Sequence, residues 1–211
     1  MDSSNLNFDP DSGPTPLNDP ILADEIYTAI KQTPASGKCQ DADGIHPSML
    51  HHCSDSLVIL LHLLFNLVLD TGSWPWSKSN TVIFIKKTGK SSYASTDSFR
   101  PITISSYIGK LLERILEARL RLYVESSNII TGSQHGFRRH RSTSSYLLEM
   151  LCGIQHQICD RQKVAGLFLD LKKAFDSVWH RSLLYRLNNL KINGRILRVI
   201  HSFLSQRKIK L

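Results

Sequence analysis

Apolar residues recur along this chain with two different periods, and each change of period marks an element. From Leu57 to Leu69 almost every position is apolar, interrupted by His62 and Asn66, which predicts a helix buried in a protein core. Ahead of it, Ile26 and Ile30 share one face of a helix predicted over about 21–31, entered at Asp19-Pro20 with proline in the first helical position. A short helix is predicted from Pro47. Thr81 to Ile85 is apolar and β-branched and predicts a strand; a basic loop with Lys86, Lys87, Gly89 and Lys90 leads to a second strand over Ser98 to Ile104. Ser105 or Ser106 then caps a helix reaching about Val124, with Ile108, Leu111, Leu112, Ile115, Leu116 and Leu122 on its apolar side. A further helix, capped by Ser142 or Thr143, runs to about Cys159. Val164 to Leu169 is a short apolar run without helical spacing and predicts a buried strand. Two basic amphipathic helices follow, over 181–190 and 195–204, separated by a turn at Asn193-Gly194. Residues 1–19, with Pro10, Pro14, Pro16, Gly13 and several Asp, Ser and Asn, are expected to form a flexible leader.

With 211 residues and 41% hydrophobic content the chain can bury a real core. Its net charge of +8 matters less than its distribution. Residues 1–55 carry two basic and nine acidic residues, net −7, whereas residues 133–211 carry fifteen and four, net +11. So basic a C-terminal portion points to a polyanion, most simply nucleic acid. The 57–69 run is too short to span a bilayer, so no membrane partner is expected. Cys39, Cys53, Cys152 and Cys159 form no CxxC pair and no secretory signal precedes them. Reduced thiols in an intracellular protein, nuclear or cytoplasmic and not secreted, are therefore expected. His46, His51, His52 and Cys53 crowd together but lack the paired spacing of zinc modules.

Two stretches carry candidate chemistry. Asp170 follows the 164–169 run where a buried strand would hold another apolar side chain. A buried carboxylate without a partner is costly, so this residue either caps the turn at the strand end or holds a cation. Between Gln134 and Thr143, Gly136 offers backbone freedom, Phe137 a stacking surface, and Arg138, Arg139 and Arg141 positive charge. That combination suits a single-stranded nucleic acid, whose bases stack on rings while guanidinium groups meet phosphates; a charged helix-entry loop is the alternative.

Leu169 to His180 resembles motif A of reverse transcriptases from non-LTR (LINE-like, jockey-like) retrotransposons. Three further stretches are similar to the same family in order: the strand–basic loop–Arg-Pro-Ile segment through Ile102, Gly109 to Leu116, and Gln134 to Thr143. The pattern at Phe203, Leu204, Ser205 and Arg207 also suits it. The resemblance implies an α+β, right-hand polymerase fold: fingers and a partial palm, helix-rich with a small antiparallel sheet. It makes Asp170 a catalytic ligand of two Mg2+ ions, hard cations that clamp the attacking and leaving oxygens of nucleotidyl transfer. It makes Phe175 the ring beneath the incoming sugar, excluding a 2′-hydroxyl. Lys87 and Arg100 become contacts to the nucleotide triphosphate. Gln134, Gly136, Phe137 and Arg138 line the template path. The partners implied are an RNA template, a DNA primer and deoxynucleoside triphosphates.

The family's next elements, Gly-x-Pro-Gln-Gly (motif B) and aromatic-x-Asp-Asp (motif C), do not occur in the sequence. Residues 20–211 are therefore expected to be a partial reverse transcriptase domain through motif A, without the C-terminal palm and thumb and inactive alone. Asp43-Gly44-Ile45 keeps part of a family loop whose remaining residues differ. Two other readings stay open: a non-enzymatic nucleic-acid-binding remnant, and a group II intron maturase-like enzyme.

Overall fold

A computed structural model describes residues 6–9, 12–13, 15–35, 40–41, 43–78, 80–89, 91–172, 174–205 and 209–210. Cys39, Lys90, Arg207 and parts of the 1–19 leader lie outside the described residues. The elements in order are α1 (Thr15–Asn18), α2 (Ala23–Lys31), α3 (Pro47–His51), α4 (Asp55–Thr71), β1 (Asn80–Lys86), β2 (Phe99–Ile104), α5 (Tyr107–Ser126), α6 (Thr143–Cys159), α7 (His180–Asn189), α8 (Arg195–Leu204) and β3 (Ile209–Lys210). They fall into two compact units, Met1–Tyr123 with Trp179–Leu211, and Val124–Val178.

The first unit holds the core. Phe65 and Leu69 of α4, Ile26 of α2, Leu111 and Leu112 of α5, and Ile196 and Leu197 of α8 are almost wholly buried. The break after α4 also feeds this core. Gly72 closes the helix in the left-handed region (φ 67°), where a Cβ would lie 2.6 Å from the Arg198 side chain. Trp74 then packs edge-on between Trp76 and Phe203, at 5.0 and 5.1 Å between ring centres. The run of apolar residues in α4 goes all the way round the helix, whereas its neighbours cover one side. Ile59, Leu60, Leu63 and Leu67 are consequently exposed, a departure from the fully buried helix expected.

Three further expectations are corrected in this unit. The 1–19 segment, expected to be flexible, contains α1, whose Leu17 is completely buried. Asn18 ties it to α8 by accepting from the Ile196 N–H (3.0 Å) and donating to the Asn193 carbonyl (3.2 Å). Next, α2 begins at Ala23 rather than near Pro20, because Arg119 of α5 draws out the carbonyls of Asp19 (2.6 Å) and Pro20 (2.9 Å). Leu122, placed on the apolar side of α5, is 67% exposed. The sheet is a β1–β2 antiparallel hairpin, as predicted, with the short β3 added parallel to β1.

Arg119 also grips Glu25 with both carboxylate oxygens, Nε to Oε1 at 2.7 Å and Nη2 to Oε2 at 2.6 Å, while Glu25 accepts the Leu22 N–H at 2.9 Å. Burial alone would raise the Glu25 pKa, but the Arg119 and Leu22 hydrogen bonds and the Arg119 charge together lower it below its usual 4.5. A carboxylate lowered on folding stabilises the fold above its unfolded pKa and loses that contribution as pH falls through the folded value. Glu25→Gln is therefore expected to flatten the acid limb of stability below about pH 4.5, read from urea midpoints across pH. An unchanged acid limb would remove Glu25 from the acid response.

The second unit is built differently. Ser142 caps α6 by accepting the Ser145 N–H (3.1 Å), as expected, yet none of the unit's described side chains is fully buried. The predicted strand 164–169 is not a strand: the segment is irregular, with Leu167, Phe168 and Leu169 each more than 80% exposed. A strand needs a hydrogen-bonding neighbour, and among the described residues no strand pairs with this run. Asp170 is exposed along with it, so the burial from which a turn-capping or cation-holding role was argued does not hold here.

Among the described residues no helix is long and apolar enough to cross a membrane. Cys53, Cys152 and Cys159 are free thiols.

Candidate nucleic-acid and nucleotide site

The hairpin presents the first pair of candidate residues. Arg100 of β2 stands opposite Ile85 of β1, and the Lys87 N–H donates to the Ser98 carbonyl at 2.9 Å, so Lys87 stands opposite Ser98. Side chains alternate along a strand, and cross-strand partners share a face. Lys87 and Arg100 therefore project from one face of the hairpin, one pleat apart. Arg100 is exposed and its guanidinium has no partner among the described residues. Tyr93, which the sequence did not single out, folds the connecting loop back. Its hydroxyl donates to the Lys87 carbonyl (2.9 Å), its ring lies 6.0 Å from Phe99, and Lys86 Nζ sits 5.1 Å above it.

In the second unit the Gln134–Arg138 loop departs from its expected roles. Gly136 was expected to supply the unusual backbone, but the left-handed residues are Phe137 (φ 61°) and His140 (φ 58°). A non-glycine residue there costs about 1–2 kcal/mol, so the loop holds Phe137 against strain. Phe137 is 92% exposed. Arg138, expected to meet template phosphates, is instead engaged within the unit. Its Nε donates to Glu125 Oε1 at 2.9 Å, its Nη2 reaches Oε2 at 2.5 Å, and Nη1 donates to the Thr131 carbonyl at 2.9 Å. The Glu125 hydrogen bond raises the Arg138 pKa, with the Glu125 charge adding to it against partial desolvation. A guanidinium matched to a bidentate carboxylate anchors the loop. Arg141 is similarly occupied, by the Gly132 carbonyl. Arg139 is exposed and has no partner among the described residues, so it is the loop's available cation. Gln134 and Gly136 are exposed beside it.

The structure does bring two candidate residues together. The Phe137 and Phe175 rings meet edge to face, 6.4 Å between centres and 89° between planes. Phe175 is 81% exposed. The motif A aromatic thus stands beside the tip of the basic loop. Asp170 is exposed on the same segment, but among the described residues no three His, Cys, Asp or Glu side chains converge as metal ligands. A single exposed carboxylate does not fit a two-ion magnesium site, which needs several fixed oxygen ligands.

Residues 85–211 match the sequence profile of the reverse transcriptase (RNA-dependent DNA polymerase) family. The chain belongs to the reverse transcriptase family. Among known proteins this reverse transcriptase chain is 32% identical, over 189 residues, to the RNA-directed DNA polymerase from mobile element jockey of Drosophila melanogaster. That match takes in 89% of the chain and 20% of the relative. The jockey polymerase of Drosophila funebris is 28% identical over 194 residues, 92% of the chain and 21% of the relative. A Pol polyprotein from type-1 retrotransposable element R2 of Popillia japonica is 32% identical over 176 residues, 82% of the chain and 23% of the relative. The chain thus spans about a fifth of the length of the relatives it matches. It is a reverse transcriptase domain homologous to the polymerases of non-LTR retrotransposons.

Proposed function

We propose that this chain supplies template- and nucleotide-contacting surfaces of an RNA-directed DNA polymerase from a non-LTR retrotransposon. The observation that carries the reading is Phe137: a strained, almost fully exposed ring, edge-on to Phe175 and two positions before Arg139, which has no partner among the described residues. An exposed ring offers a stacking face, and single-stranded nucleic acid stacks on rings while its phosphates meet arginines. Gln134 and Gly136 flank that path. Lys87 and Arg100, sharing one face of the hairpin, are the proposed contacts to the nucleotide's phosphates, with Arg100 able to bind two oxygens at once. Phe175 is the proposed selector against a ribose 2′-hydroxyl. Asp170 is proposed as one ligand of a magnesium site whose other ligands are not assembled among the described residues.

Salt-dependent binding of a labelled single-stranded RNA, followed by fluorescence anisotropy, tests the reading. Each phosphate neutralised on a single strand contributes about −0.7 to the slope of log affinity against log salt. The full chain is expected to bind with a steep negative slope, and Arg139→Ala to make that slope shallower by about 0.7. Binding that ignores salt, or a slope unmoved by Arg139→Ala, would count against the loop as a nucleic-acid contact.

A further inference from the structure

The Phe137 tip consists of two residues, Gly136 and Phe137, between two side chains that are both fastened. On one side Arg138 is held by Glu125. On the other, the His135 side chain is only 8% exposed although its loop lies at the surface. Its Nδ1 lies 3.0 Å from Ser145 Oγ and its Nε2 lies 2.9 Å from Glu149 Oε2, both on α6. Its ring packs edge-on against Tyr146, 5.4 Å between centres. Nε2 thus faces the Glu149 carboxylate and Nδ1 the Ser145 hydroxyl oxygen, so the ring is tied at both nitrogens. Ser145 is itself fixed by the Ser142 cap, giving and receiving hydrogen bonds with the Ser142 backbone. Arg141 Nη1 approaches Nε2 at 3.2 Å but donates to the Gly132 carbonyl at closer range, 2.5 Å. His135 thus couples the start of α6 to the loop tip. Its ring also walls an open cleft of about 440 Å3 shared with Phe137, Arg141 and Tyr146.

We infer that His135 is a positioning residue for RNA contact: it holds Phe137 raised and left-handed against α6, and it acts through Phe137 rather than by touching RNA. This inference rests on the loop being the RNA-contacting surface. The two anchors restrain the backbone at Phe137; with one anchor gone, its strained φ relaxes and the ring collapses onto neighbouring apolar surface. His135→Leu keeps the packing against Tyr146 and removes both hydrogen bonds. His135→Gln keeps an N–H donor for Glu149.

The test is a double-mutant cycle on single-stranded RNA binding by the full chain, at one salt concentration. His135→Leu is expected to raise Kd about three- to tenfold, part of what loss of a stacked ring costs. In a Phe137→Ala background the same change is expected to add less than about twofold, because coupled residues are non-additive. His135→Gln is expected to recover most of the affinity. Equal weakening by His135→Leu in both backgrounds overturns the proposal, since a merely structural role would damage binding whichever residue stood at 137. No weakening by His135→Leu while Phe137→Ala weakens binding also overturns it and leaves the RNA-contact reading standing. An affinity indifferent to Phe137→Ala overturns both.

Discussion

Replacing Asp41 with alanine is expected to destabilise the chain by about 3–5 kcal/mol, as much as truncating a buried phenylalanine such as Phe65. Asp41 is 7% exposed and lies in a loop, yet its carboxylate organises two segments at once. Oδ2 accepts the Tyr107 N–H at 2.7 Å, at the first residue of α5, and Oδ1 accepts the N–H groups of Asp43 (3.0 Å) and Ile45 (2.9 Å). Hydrogen bonds to a charged acceptor contribute about 1.5–3 kcal/mol each, and a buried donor left without its acceptor carries a desolvation penalty as well. A carboxylate at the start of α5 also faces the positive end of the helix dipole. Asp41→Asn keeps one good acceptor oxygen and is expected to cost about half as much. Urea midpoints of the two variants decide the matter; a loss under about 1 kcal/mol for alanine would mean that water replaces the carboxylate at all three donors.

That residue also shows where the sequence stops being legible. Helices and the hairpin could be read because their periods are local: the Leu111–Leu116 stripe, the Ser142 cap and the β-branched run at Thr81–Ile85 each signal their element within a few residues. Asp41 signals nothing locally. Its decisive partner is 66 positions away, and in the sequence it is one polar residue in a polar loop, beside an Asp43-Gly44-Ile45 that drew the attention instead. The engagement of Arg138 was hidden for the same reason, since its Glu125 partner lies 13 residues back on another element. The 164–169 run shows the converse. Its composition reads as buried strand, but burial and pairing come from a neighbour, and composition alone cannot supply one. Of the candidate site, residue types and their order along the chain were legible, as was the hairpin that sets Lys87 and Arg100 on one face. Which arginine is available and which is an anchor became visible only in three dimensions.

Phe137→Ala is expected to weaken single-stranded RNA binding about tenfold without lowering the chain's melting temperature. A base stacked on an aromatic ring contributes about 1–3 kcal/mol by alanine substitution, and about 1.4 kcal/mol is one decade in Kd. Stability should be untouched because the ring, 92% exposed, buries almost nothing, and its ring neighbour among the described residues, Phe175, is itself exposed. This dissociation between affinity and stability separates a contact residue from a structural one. Two companions sharpen it. Phe137→Trp keeps a stacking face and should hold affinity within about threefold, whereas Phe137→Gly relieves the left-handed backbone, so it should raise stability slightly while losing as much affinity as alanine. Glycine separates the ring's role from the backbone's, since alanine keeps the strained φ and glycine does not. Anisotropy titrations at fixed salt beside thermal melts give both readouts. If all three variants bind like the parent, stacking at residue 137 is excluded, and RNA affinity in this unit would rest on Arg139 and the unit's other basic side chains alone.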